Sequence, residues 1–192
     1  MIYPIVAYGD PILRKVTRPI EKDEVDLKKL SDDMFETMYD ASGVGLAAPQ
    51  VGLNIRVFVV DGTAMNEGEE EEDKDPSLEG FRKMFINPQI LEETGDEWAF
   101  EEGCLSIPGI RGDVYRPEKV RIRYRDLDWN EHEEEYDGTA ARIIQHEYDH
   151  LEGKLFTDYL PALKKQLLKR KLNDIAKGIV DVDYRMRFHS RK

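Results

Sequence analysis

Cysteine is nearly absent. Cys104 stands alone among 192 residues, so no internal disulfide is expected and the cytoplasm is the expected compartment. Long apolar runs are missing too: none approaches the roughly 18 residues that a bilayer span requires. The opening Met1-Ile2-Tyr3-Pro4-Ile5-Val6 has neither the basic stretch and apolar core of a secretory leader nor the Arg/Ser richness of a transit peptide. No repeat is visible. The glycine-rich stretch Gly43–Gly52 lacks the Gly-Lys-Ser/Thr ending of a phosphate loop and the G-x-G-x-x-G spacing of a dinucleotide turn. Taken alone it reads as a tight turn between a helix and a strand, with Gln50 as its one functional polar side chain. Glu67–Asp75 holds seven acids in nine residues but not the alternating pattern of a calcium loop, so it is expected to be a solvated surface loop.

Positive charge is scarce and uneven. The net charge is -12, but residues 161–192 carry +7 and the rest carries -19. A basic tail on an acidic body suits either a polyanionic partner or docking of the tail on its own body, and charge alone does not choose.

With 40% hydrophobic and 35% charged residues, the chain is expected to be a soluble globule. The expected organisation is a catalytic body, residues 1–160, with a basic helix and tail, 161–192, appended to the same domain. Leu27, Leu30, Met34 and Met38 follow helical spacing over about 25–39. Arg56–Asp61 reads as a buried strand, and Met84–Pro88 as a strand at an edge or ending at the proline. Val120, Ile122 and Tyr124 alternate with arginines, and a turn at Asp128–Asn130 should close a hairpin onto Glu133–Tyr136. Pro161 suits the first turn of a last helix, with a stripe of Leu163, Leu167, Leu168, Leu172, Ile175 and Ile179. Residues 1–22 and 181–192 read as irregular. Helix, strands, helix, helix with antiparallel signals predicts an α+β fold: antiparallel sheets around a central metal-binding helix, with a C-terminal helix.

That central helix holds Gln145-His146-Glu147-Tyr148-Asp149-His150, an H-E-x-x-H sequence. Residues four apart lie on one helical face, ~6 Å apart along the axis. Both imidazoles can therefore reach one divalent ion, with Glu147 beside its water. Asp137-Gly138-Thr139 offers an N-cap region and Gly153 a stop. The plainer alternative is a pair of hydrogen-bonded core histidines.

A catalytic site of this kind needs a third protein ligand. Phe156 stands where H-E-x-x-H-x-x-G-x-x-H would place a histidine, and few acids follow His150. Cys104, in Glu102-Gly103-Cys104-Leu105-Ser106, is the remaining candidate, although a lone cysteine also serves as a small buried hydrophobe. Cys-His-His favours zinc or ferrous iron over magnesium or calcium. A structural site would want a fourth ligand, for which only His132 and His189 remain, and would have no need of Glu147.

Three segments in order, G-V-G-L-A-A-P-Q (43–50), E-G-C-L-S (102–106) and Q-H-E-Y-D-H (145–150), together resemble bacterial-type peptide deformylases over about residues 1–170. The resemblance implies a metal hydrolase that removes the formyl group from the N-terminal formyl-methionine of new polypeptides and releases formate. It implies one metal per chain on Cys104, His146 and His150: Fe(II) first, with Zn(II), Ni(II) or Co(II) as alternatives. It makes Glu147 the general acid/base, and gives the oxyanion to the Gln50 side chain and the Leu105 backbone N–H. Gly45 and Gly103 would offer backbone groups to the peptide; Val44, Ile143 and the His146 ring would line the methionine pocket. The implied partners are formyl-methionyl nascent peptides and, through the basic C-terminal helix, the ribosome, with neither membrane nor DNA among them. The acidic run, Gly109-Ile110 and Tyr148 depart from the pattern; Tyr148 is expected to affect packing alone. The rival reading is a zinc peptidase cutting internal peptide bonds, which shares H-E-x-x-H but leaves the other two segments unexplained.

Overall fold

Strand alternation in the middle of the chain builds one sheet. In the computed structural model, which describes residues 1–189, β2 (Gly45–Ala47), β3 (Val57–Asp61), β4 (Arg82–Cys104), β5 (Ile107–Arg125) and β6 (Glu131–Asp137) lie side by side in that order, all antiparallel. β3 is buried along its whole length because both faces are covered. Val57 and Val59 pack with Met34 and Met38 of α1 (Leu27–Asp40). Phe58 and Val60 point the other way, onto Ala140, Ala141 and Ile144 of α2 (Gly138–Leu151). α2 therefore sits against the sheet with its motif buried.

β4 does not stop at Pro88 but runs for 23 residues. The proline falls at a register shift between Ile86 and Gln89. Asn87 takes φ +49° there, and its side chain holds both the N–H and the C=O of Ile20. The residue without a donor thus sits in a bulge, not in the ladder. β5 is likewise far longer than the alternation at 120–124 suggested. The two strands meet at a tight turn, Leu105-Ser106, between paired Cys104 and Ile107.

α2 begins and ends where expected, but its N-terminal cap is made by other side chains. Asp137 occupies the N-cap position but its side chain makes no cap. Ser77 Oγ accepts from Ala140 N instead, at 3.2 Å, and the Asp75 carboxylate takes hydrogen bonds from Thr139. Asp75 ends the acidic run, so that end of it is structural, clamped by both side-chain ends of Asn66; residues 67–74 are exposed as expected. At the other end Gly153 takes φ +70°, and a Cβ there would lie 2.5 Å from the Arg14 carbonyl oxygen.

The C-terminal helix α3 (Ala162–Ala176) buries only part of its stripe. Leu172 and Ile175 enter a third core cluster with Ala7, Ile107, Val114 and Phe156. Leu163, Leu167 and Ile179 are exposed. The segment after α3 is not loose where it is described: β7 (Met186–Arg187) pairs in parallel with β1 (Ile5–Val6), a departure from the antiparallel pairing of the main sheet. Ser190–Lys192 lie outside the described residues. Among the described residues no helix is long and apolar enough to cross a membrane.

Candidate metal centre

α2 and the end of β4 bring three soft donors together. One ligand atom each from Cys104, His146 and His150 lies within 4.8 Å of the others. Cys104 Sγ is 3.4 Å from His150 Nε2, close to the ~3.5 Å that a tetrahedral ion with ordinary Zn–S and Zn–N bonds would impose. The His146 and His150 rings stand edge to face, 5.1 Å apart. Phe156 stacks on the His146 ring, where the longer motif would have placed a ligand. His132, on the edge strand β6, is bonded to Asp126 and stacks on Tyr124. Neither it nor His189 joins the cluster, so no fourth protein ligand closes the site among the described residues. The donor set and its spacing fit one divalent ion.

The orientation of the ligands is set from behind. His146 Nδ1 meets Glu102 Oε1 at 2.8 Å, which turns Nε2 toward the cluster. Glu102 is also gripped by Arg116 through two bonds of 2.8 and 3.0 Å and by Arg142 at 3.0 Å. Burial works against the Glu102 carboxylate, yet hydrogen bonds from His146 and Arg116 outweigh it and hold its pKa down at about 2. Arg116 reaches on to Asp149 Oδ2 at 2.8 Å, and Tyr159 donates to the same oxygen. For His150, burial above all keeps the imidazole well below its usual value, the neutral form a metal needs.

Glu147 is 5% exposed, and its Oε2 has no hydrogen-bond partner among the described residues. Burial lifts its carboxyl to about 7. Gly45 lies against it, so closely that a Cβ there would sit 2.4 Å from Glu147 Oε1. Only glycine leaves this carboxyl its place, which is why the glycine-rich segment belongs to the site. Gln50 is oriented by the backbone three residues before it: Oε1 takes the Ala47 N–H at 3.0 Å, leaving Nε2 to donate to Ser106 Oγ at 3.2 Å and Cys104 Sγ at 3.4 Å. The Leu105 side chain covers Gly43, where a Cβ would meet it at 2.8 Å. Gly103 faces Arg111 across the ladder.

The structure therefore places Cys104, His146, His150, Glu147, Gln50, Gly45 and Leu105 around one point. Ile143 and Val44 lie nearby in the cluster under α2, Ile143 one turn before Glu147.

Two comparisons with known proteins agree with this geometry. Residues 2–166 match the family model described as polypeptide deformylase. The chain is 60% identical to the peptide deformylase of Cytophaga hutchinsonii over 192 residues, covering all of both chains.

The chain belongs to the peptide deformylase family.

The family is seen again in Christiangramia forsetii, whose peptide deformylase is 55% identical over 193 residues, 100% of this chain and 98% of that one. The crystal structure of the Legionella pneumophila peptide deformylase superposes with a TM-score of 0.78 at 38% identity, covering 93% of this chain and 98% of that one. The chain is thus a metal-dependent amide hydrolase acting on N-formyl groups, and the peptidase reading falls. The brace is legible in sequence only in part. Glu102 stands as a polar neighbour of Cys104 that could brace the site, whereas Arg116 and Arg142 carry no signal, because a buried arginine looks like any other in sequence, and nothing marks Asp149 as their partner. Tyr148 does more than pack: its hydroxyl accepts from Arg56 Nη2 at 2.8 Å, beside an Arg56–Glu152 ion pair.

Proposed function

We propose that this chain removes the formyl group from the N-terminal formyl-methionine of newly made polypeptides, in the cytoplasm, with the following division of labour. Cys104, His146 and His150 hold one ion, Fe(II) first among Zn(II), Ni(II) and Co(II), since a thiolate with two imidazoles suits these better than hard cations. When bound, the ion supplies Lewis acidity to the attacking water and the formyl carbonyl. Glu147 Oε2 takes the proton from that water and returns it to the departing amine nitrogen, leaving formate and a free methionyl terminus. Gln50 Nε2 and the Leu105 N–H donate to the developing oxyanion. Gly45 and Gly103 offer backbone groups to an extended peptide, and Val44, Ile143 and the His146 ring receive the methionine side chain.

The observation that carries this reading is a buried, unpartnered carboxyl oxygen on Glu147 beside three converging metal donors. Anaerobically prepared protein, its metal counted, should release formate rapidly from a formyl-methionyl tripeptide at about one metal per chain. Metal-loaded protein that releases none would overturn the assignment.

Residues 161–192 are proposed as an appended basic segment of the same domain, supported by the burial of Leu172 and Ile175. Lys164, Lys165 and Lys169 are exposed on α3 and suit the ribosome's phosphate surface. Changing all three to Glu should abolish co-sedimentation with ribosomes at low salt; unchanged co-sedimentation would count against that partner.

A further inference from the structure

The turn Leu105-Ser106 supplies one of the two oxyanion donors and follows the metal-binding thiolate directly. Three hydrogen bonds from outside the β4–β5 ladder hold it. Gln50 Nε2 donates to Ser106 Oγ at 3.2 Å. The Tyr8 N–H donates to the Ser106 carbonyl at 2.9 Å. The Tyr184 hydroxyl donates to the Leu105 carbonyl at 2.7 Å. Tyr184 comes from the segment after α3, beyond the 2–166 span that matches the family model.

That segment is strapped down on both sides of the tyrosine's neighbours. Ile5 N donates to the Arg185 carbonyl at 2.8 Å and Ala7 N to the Arg187 carbonyl at 2.9 Å. Met186 packs against two of the three core clusters, and Tyr184 against the first. Arg187 lies against Gly52 and 3.6 Å from Asp10. The same N-terminal strand leads on to Tyr8, so the two termini reach the turn together.

We propose that Tyr184 is a positioning residue for deformylation and that the strap around it is part of the active site's support. This rests on the role given above to the Leu105 N–H. Cys104 is pinned by its ladder pairing with Ile107, and Tyr184 pins the carbonyl on the other side of Leu105. With both ends held, the amide between them cannot swing away from the oxyanion position, and pre-aimed donors are what such a site depends on. The hydroxyl touches no reacting atom; it acts through the backbone.

Tyr184→Phe keeps the ring and its packing and removes only the donor. In metal-loaded enzyme with a formyl-methionyl tripeptide, kcat should fall about tenfold, the scale at which an orienting hydrogen bond behind a site is felt. KM should stay within about twofold, and metal content and thermal midpoint should match the wild type, because the interaction matters in the transition state more than in the ground state. Unchanged kcat in the variant, with an active wild type, would overturn the proposal. So would a loss of kcat that merely tracks lost metal or a lowered midpoint, which would make the tyrosine structural. A wild type that releases no formate would instead bring down the underlying function, and this proposal with it.

Discussion

Glu147→Ala yields a folded protein with its metal bound and a deformylation rate reduced about a thousandfold, the middle of the range for a lost general acid/base. The physical case rests on what the side chain does not do. Among the described residues its Oε2 has no partner, and Glu147 is not one of the clustered metal donors. It is 5% exposed, and burial raises its pKa to about 7, so the folded state holds this carboxyl at a cost. Truncation removes that cost and relieves the close approach to Gly45. The thermal midpoint should therefore hold or rise while kcat collapses, the trade expected where a site carries strain for function. Kinetics, metal counting and a melting curve on the same sample decide it. A variant that unfolds or loses its ion would show that Glu147 supports the structure and would revive the structural-site reading.

Arg116→Met acts on the opposite side of the helix and through stability first. Arg116 is 5% exposed, joins Glu102 and Asp149, and lies over the Tyr159 ring at 4.7 Å. Its guanidinium pKa is raised: burial opposes the charge, but the bonds to Glu102 outweigh it. Methionine fills much of the volume but leaves two buried carboxylates short of a cation. Breaking a buried pair from one side costs about 3–5 kcal/mol. At the sensitivity of a domain of this length, that is a fall of roughly 10 °C in thermal midpoint. A second effect follows through Glu102, which orients His146: metal affinity should drop by about tenfold or more. A midpoint within about 2 °C of the wild type would show that Arg142 alone neutralises Glu102. A lowered midpoint with unchanged metal affinity would separate the stabilising role from the orienting one.

These two predictions mark where the sequence was legible. His146, Glu147 and His150 could be placed on one face because helical periodicity is local, and the helix forms much where its spacing put it. Cys104 could be reached as the remaining soft donor, and resemblance then assigned the rest. The arginines of the brace could not be read. Arg116 lies 14 residues from Glu102 and 33 from Asp149, and Arg142 lies 40 from Glu102. Pairing over such separations depends on the β4–β5 register, which no single stretch encodes. Pro88 misled for the same reason: it argues locally for a strand end, whereas Asn87 and the Ile20 backbone absorb it in a bulge. The apolar stripe on α3 did not say how far the helix docks: Leu163 and Leu167 face solvent, Leu168 is partly buried, and only Leu172 and Ile175 of the helix's stripe are fully buried.

Sequence alone determined the chemistry of this protein: one thiol, two histidines four apart, a carboxylate between them, and a glycine-rich segment free of charge. Those are choices of functional group, and a chain states them residue by residue. Tertiary structure decided everything that depends on distance in space. It brought Cys104 to His150 across 46 residues, set Gly45 against Glu147, buried the charges that aim His146, and returned the C-terminal segment to the N-terminal strand so that Tyr184 meets Leu105. Each of these is a contact between distant segments, selected by burial and by the need to pair buried polar groups, and neither is visible until the chain has folded.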